Sequence, residues 1–159
     1  MKNLFLYVAL CCVVTACNFS AGTKKDLISG LSVSYNGFTI SEAVLVDAQN
    51  ERKLNNEVDL NSTVAIVVQG IANYELKDGH AFPGLDLIVT DKAGVAVLEG
   101  MDILANEEGY TPEDAAVLRG TITAGNPMVA GETYHAKMKI WDKLKPESVI
   151  DVQVDIVVK

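Results

Sequence analysis

Apolar residues return at every second position through much of this chain, most clearly near its C-terminus. From Thr133 to Trp141, the residues Tyr134, Ala136, Met138 and Ile140 share one parity, and His135, Lys137, Lys139 and Trp141 take the other. Ile150 to Val158 repeats the pattern, with Ile150, Val152, Val154, Ile156 and Val158 on the inward side. A period of two sends alternate side chains to opposite faces of a strand, so each run predicts a strand with one buried face. The short loop between them, Asp142 to Ser148 with Pro146, predicts that the two pair antiparallel.

The same reading extends upstream. Leu31 to Tyr35 alternates, Asn36-Gly37 follows, and Phe38-Thr39-Ile40 continues. Asn-Gly between alternating runs predicts a two-residue hairpin that pairs Tyr35 with Phe38 and Val33 with Ile40. Ala43 to Val46 extends the second strand. Asp47 to Asn61 has no clear period and is a connection. Thr63 to Val68 is apolar on both parities, which predicts a central strand buried on both sides. Gly70 to Gly84 reads as a long loop. Leu85 to Thr90 and Val95 to Leu98 flank Asp91-Lys92-Ala93-Gly94, a hairpin loop with Gly94 placed for positive φ. Thr111-Pro112-Glu113-Asp114 predicts a helix start: a capping threonine, proline at the first position, and acids at the positive end. Only one or two turns fit before Leu118 to Thr123 returns to strand.

These elements predict an all-β antiparallel sandwich of about 7–9 strands over residues 31–159, with one short helical turn, because no helix is long enough to cross between parallel strands. The stretch Ala130-Gly131-Glu132-Thr133-Tyr134-His135-Ala136 resembles the tyrosine corner that leads into a late strand of immunoglobulin-like and fibronectin-like sandwiches. The resemblance implies that the Tyr134 hydroxyl bonds back to upstream backbone. Ala136 stands where antibody domains carry cysteine.

The N-terminus breaks this pattern. Lys2 precedes an unbroken apolar run, Leu4 to Val14, too short to span a bilayer as a helix but of the length of a signal-peptide core. Val14-Thr15-Ala16-Cys17 follows. Ordinary secretion, with a cut after Ala16, suits Val14 and Ala16. A cysteine at the new N-terminus favours lipidation, and Cys11 and Cys12 are poorer sites because the apolar core would be cut short. Residues 14–17 resemble the lipobox of bacterial lipoproteins. That resemblance implies a signal peptide over residues 1–16, a thioether-linked diacylglyceryl group on Cys17 and a further acyl chain on its freed amine. Residues 17–30 then read as the lipidated cysteine and a tether, with an r.m.s. span of roughly 20 Å. Asn18 to Lys25 carries no acid, and Asn18 is not an aspartate. By resemblance to lipoprotein sorting signals, the expected address is the outer membrane of the bacterial envelope, with the domain facing the periplasm.

Composition narrows the function further. Removing 16 of 159 residues leaves 143, enough for one domain with a sizeable core. The net charge of −8 becomes −9 once Lys2 is lost. So acidic a domain repels phosphate backbones, which argues against a nucleic-acid partner. All three cysteines lie at or before Cys17, leaving the mature domain no disulfide and no thiolate metal site.

Candidate chemistry is sparse. For Ca²⁺ the loop acids are Asp86, Asp91, Asp102, Asp142, Glu107 and Glu108, but no D-x-D-x-D spacing occurs and aspartate is itself a favoured turn former. No metal and no cofactor is assigned. For nucleophilic catalysis the chain offers His80 and His135 without G-x-S-x-G, and no catalytic residue is assigned. For ligand binding, Trp141 is predicted to face outward between Lys139 and Lys143, where an indole can stack on a sugar or seat a protein, or else folds against the strand end as loop packing, the reading its position favours. His80, Phe82 and Tyr110 are further loop candidates. The leading expectation is a non-catalytic binding or scaffolding domain, held at the membrane through Cys17, with an envelope protein or glycan as partner. The alternatives are a carbohydrate- or calcium-binding accessory module at the loops, and a small hydrolase centred on His80.

Overall fold

Two alternating runs with a short loop between them can bury only one parity each, and that is how the C-terminal third of the chain packs. Tyr134, Ala136, Met138 and Ile140 are buried, as are Ile150, Val152, Val154, Ile156 and Val158. The structure, a computed structural model, describes residues 20–159. The stretch read above as a signal peptide, and Cys17, lie outside the described residues. Within them the strands are β1 Ala21–Lys25, β2 Ser32–Asn36, β3 Glu42–Asp47, β4 Glu57–Val58, β5 Thr63–Gln69, β6 Pro83–Thr90, β7 Ala96–Gly100, β8 Val117–Thr123, β9 Thr133–Asp142 and β10 Val149–Val158. A single helical turn, α1 Pro112–Ala115, precedes β8.

The strands form two sheets. The larger runs β1-β2-β10-β9-β6-β7, with β4 pairing the end of β10, and the smaller runs β3-β5-β8. All pairs are antiparallel except β4 with β10. Two largely antiparallel sheets facing one shared core make the all-β sandwich that the strand pattern predicts. The tyrosine corner is present as well: Val129 N donates to the Tyr134 hydroxyl at 2.9 Å. Tyr134→Phe removes that acceptor from a partly buried N–H, and is expected to lower stability by about 1 kcal/mol with the fold intact. Urea unfolding checks this; an unchanged midpoint would remove the corner's role.

The central strand of the small sheet is buried on both sides, as its composition predicts. Val64, Ile66 and Val68 join the core between the sheets. Ala65 and Val67 form a second cluster with Val44 and Val46 of β3. The helix start also forms as predicted, with Thr111 Oγ1 accepting from Asp114 N at 3.1 Å. In the β6–β7 hairpin Gly94 takes φ +81°.

Three expectations need correcting. First, Asn36-Gly37 is not a hairpin. Tyr35 pairs with Ile150 and Val33 with Val152, both on β10, while β3 belongs to the other sheet. Only Gly37 takes positive φ, at +76°, and the chain crosses between sheets there. The long apolar face of β10 offers β2 more burial than Phe38 and Ile40 can, and Phe38 instead drops fully into the core. Second, part of the expected tether is folded. Ala21–Lys25 pairs with β2 along its full length. Its polar composition hides the strand, because its inner face buries almost nothing of its own. Gly22 is bare so that the Tyr35 ring can lie over it, and Lys24 Nζ bonds the carbonyls of Ile40 and Ser41 at 3.0 and 2.7 Å. Third, with β1 and the two-residue β4 the described strands number ten.

The β1–β2 turn is closed by Asp26. Burial would raise its carboxyl, but the Ile28 N–H, the Ser29 hydroxyl and Arg52 outweigh that and hold it below the usual carboxylate range. Arg52 lies 3.3 Å away, from the segment that follows β3.

Candidate functional site

The sandwich has one loop-rich end, where β2, β5, β7 and β9 finish. Sequence reasoning placed its aromatic candidates in separate loops, and the fold gathers them here. Trp141, on β9, projects from the outer face of the large sheet opposite Gly84 of β6. A Cβ at Gly84 would run into the indole, so this glycine is what lets the ring lie flat across the neighbouring strand. Lys139, two residues back on the same face, holds its Nζ 6.0 Å from the ring centroid. Trp141 is thus outward as expected, but half-buried because it lies over the strand.

The other candidates sit beside it. Ala81 and Tyr110 exchange both backbone hydrogen bonds at 2.8 Å. Gly109, at φ +78°, passes so close that a Cβ there would lie 2.9 Å from both His80 Cβ and Phe82 Cζ. The Phe82 carbonyl accepts from Lys143 N at 2.9 Å, which ties this cluster to the loop after Trp141. His80 ends a tight turn, Lys77 to His80, with Asp78 and Gly79 both at positive φ. Its Nδ1 lies 3.0 Å from the Asp78 carbonyl, within its own turn.

Three of the loop aspartates serve the backbone. Asp142 is fully buried; Oδ2 accepts from Glu75 N at 2.6 Å and Oδ1 from Leu144 N at 2.9 Å. Asp91 Oδ1 accepts from Ala93 N and Val95 N inside its hairpin. Asp86 Oδ1 accepts from Asp102 N at 2.8 Å, and Asp102 Oδ2 pairs with Lys143 Nζ at 2.7 Å. Glu107 and Glu108 are exposed. Among the described residues no group of three or more His, Cys, Asp or Glu is placed to hold a metal ion. Tyr74 completes the end: its hydroxyl donates to the Ala115 carbonyl at 3.1 Å and its ring meets Phe38 edge-on. Burial, and then the nearby Asp142 charge, push its phenol well above the usual range.

One polar pair escaped the sequence reading. His135 Nδ1 lies 2.6 Å from Asp155 Oδ1 across β9 and β10. Together they line a cleft of about 500 Å³ with Thr90, the Asp91–Gly94 turn, Lys137 and Gln153, at the opposite end of the outer face. The signal was present, since aligning Ile140 with Ile150 and counting along both strands sets His135 opposite Asp155.

The outer face of the large sheet therefore joins an aromatic end to a polar cleft. Between them it alternates Lys139 and Lys137 with Asp86 and Asp151. Such a face can offer stacking and both signs of charge to a ligand laid across the strands. No protein-family model and no curated protein matches the chain.

Proposed function

We propose that this chain is a bacterial envelope lipoprotein, anchored by lipid on Cys17, whose sandwich binds or braces an envelope partner without catalysing a reaction. The observation that carries the reading is the N-terminal series: Lys2, the apolar run Leu4 to Val14, then Val14-Thr15-Ala16-Cys17, with no cysteine after it. The sorting residues after Cys17 favour the outer membrane, with the domain in the periplasm. The mixed-charge outer face, ending in Trp141, favours a binding role. His80 spends Nδ1 within its own turn, and the Asp86, Asp91 and Asp142 carboxylates are engaged by backbone N–H groups, which argues against the hydrolase reading. No nucleic-acid partner is proposed for so acidic a chain.

Cys17→Ser is the test of the anchor. The protein should lose membrane pelleting and detergent-phase partitioning, and the wild-type mature N-terminus should be an acylated Cys17. Unchanged pelleting of the variant, or a mature terminus elsewhere, would overturn the lipoprotein reading. A glycan partner is the second reading, favoured by an indole lying along the sheet next to Lys139 and near Asp86. Competition by soluble envelope glycan against a cross-linked protein partner, read with Trp141→Ala as the control, separates the two.

A further inference from the structure

We infer that the loop-rich end of the sandwich is held against the bilayer surface, with the His135–Asp155 cleft displayed away from it. This rests on the lipoprotein reading above and adds an orientation to it. The described chain begins at that end: the Ser20 carbonyl accepts from Gly37 N at 2.7 Å, and β1 runs away from there beside β2. Three Cα–Cα steps separate Cys17 from Ser20, a reach of at most about 11 Å. The ten residues of β9 extend the domain by roughly 33 Å in the same direction. The leash is therefore about a third of the length of the body it holds, because β1 and the turn that follows it have taken up most of the apparent tether.

The surface next to the attachment point suits a headgroup layer. Phe38, one residue past Gly37, packs on Tyr74, and Thr39 pairs with Ala72. Ala72 and Tyr74 form the rim of a mainly apolar groove of about 390 Å³ between the β5–β6 loop and α1, with Ile71, Leu76, Pro112 and Ala116. Leu76 and, in the β9–β10 loop, Leu144 are exposed at the same end. Charge does not draw this end down, since Glu75, Asp78, Glu113 and Asp114 stand there. The short covalent link does.

The test uses the full lipidated chain in vesicles containing a headgroup-labelled acceptor lipid. Cys17 is consumed by its lipid and the mature domain has no other thiol, so one introduced cysteine carries the donor dye. Leu76→Cys and Leu144→Cys report the near end; Val95→Cys and Leu27→Cys, exposed in the β6–β7 and β1–β2 turns, report the far end. Energy transfer several-fold stronger from the near pair is expected. About 20 Gly/Ser residues inserted after Asn18, with an r.m.s. span of roughly 25 Å, should erase the difference. Pelleting with equal transfer at both ends, or a gradient that survives the insertion, overturns the orientation alone. Failure to pellet removes the lipoprotein reading and this inference together.

Discussion

Val154→Asp is expected to unfold the domain or bring it to the edge of unfolding, while Gln153→Asp leaves it almost unchanged. Val154 is mid-strand in β10, opposite Ala136 of β9, and 3 % exposed. A carboxylate there meets the apolar core with no partner in register, a change that costs several kcal/mol against a total stability of only about 5–15 kcal/mol. Gln153 is exposed and sits between Ser32 of β2 and Lys137 of β9, where an added carboxylate finds water and an opposite charge. Its effect should stay under about 0.5 kcal/mol. Thermal melts in a Cys17→Ser background, with no thiol at position 17, compare the two directly. Equal melting points, or the larger loss at position 153, would mean that the strand is out of phase by one residue.

That contrast also shows where the sequence is informative. β9 and β10 are read in the correct phase, though each strand runs one residue longer than its alternating run, because a sustained period of two permits one buried face only. The glycine signals were harder to place. Asn36-Gly37 matches a hairpin turn but joins two sheets, whereas Asp78-Gly79, inside a segment read as loop, forms the real tight turn, with both residues at positive φ. The difference lies in what flanks them. Both edges of β2 are claimed by β1 and β10, strands distant or unremarkable in local sequence, so the local signal at Asn36 loses to a tertiary one. β1 itself was hidden because its pairing is carried by backbone groups, with Gly22 and a snorkelling Lys24 on the inner side.

The candidate site was legible in its parts and not in its assembly. Trp141 faces outward as strand parity requires. Its closeness to Gly84 depends on β6 lying beside β9, a pairing between segments more than forty residues apart that no local pattern encodes. Phe82, His80 and Tyr110 meet only because Gly109 lets two loops approach. The Asp142 carboxylate is the least legible of all. It looks like any loop acid, and its role appears only when the β5–β6 loop closes over it.

Asp142→Ala is accordingly expected to cost about 2–6 kcal/mol, from two backbone N–H groups left without acceptors at about 1–3 kcal/mol each. Glu75 N and Leu144 N belong to different loops, and the carboxylate is the bridge between them. Its removal should loosen the loop-rich end more than the sheets. The single tryptophan, next to it in the chain, should report that loosening as a red-shifted emission at a denaturant concentration where the wild type is unchanged. Asp142→Asn is the informative companion. Its amide keeps one acceptor oxygen but turns a donor toward the other N–H, so at least half the loss should remain. Tyr74 gives an independent reading. Burial is the larger cause of its raised phenol pKa and the Asp142 charge the second, so in Asp142→Asn the phenol should ionise at lower pH than in the wild type, yet still above an ordinary tyrosine. The onset of Tyr74 ionisation, followed through its own ring NMR signals up to the highest pH at which the fold persists, should come earlier in the variant. If Asp142→Ala melts with the wild type and the Tyr74 titration does not move, then the buried carboxylate neither bridges the two loops nor sets the field at this end of the sandwich.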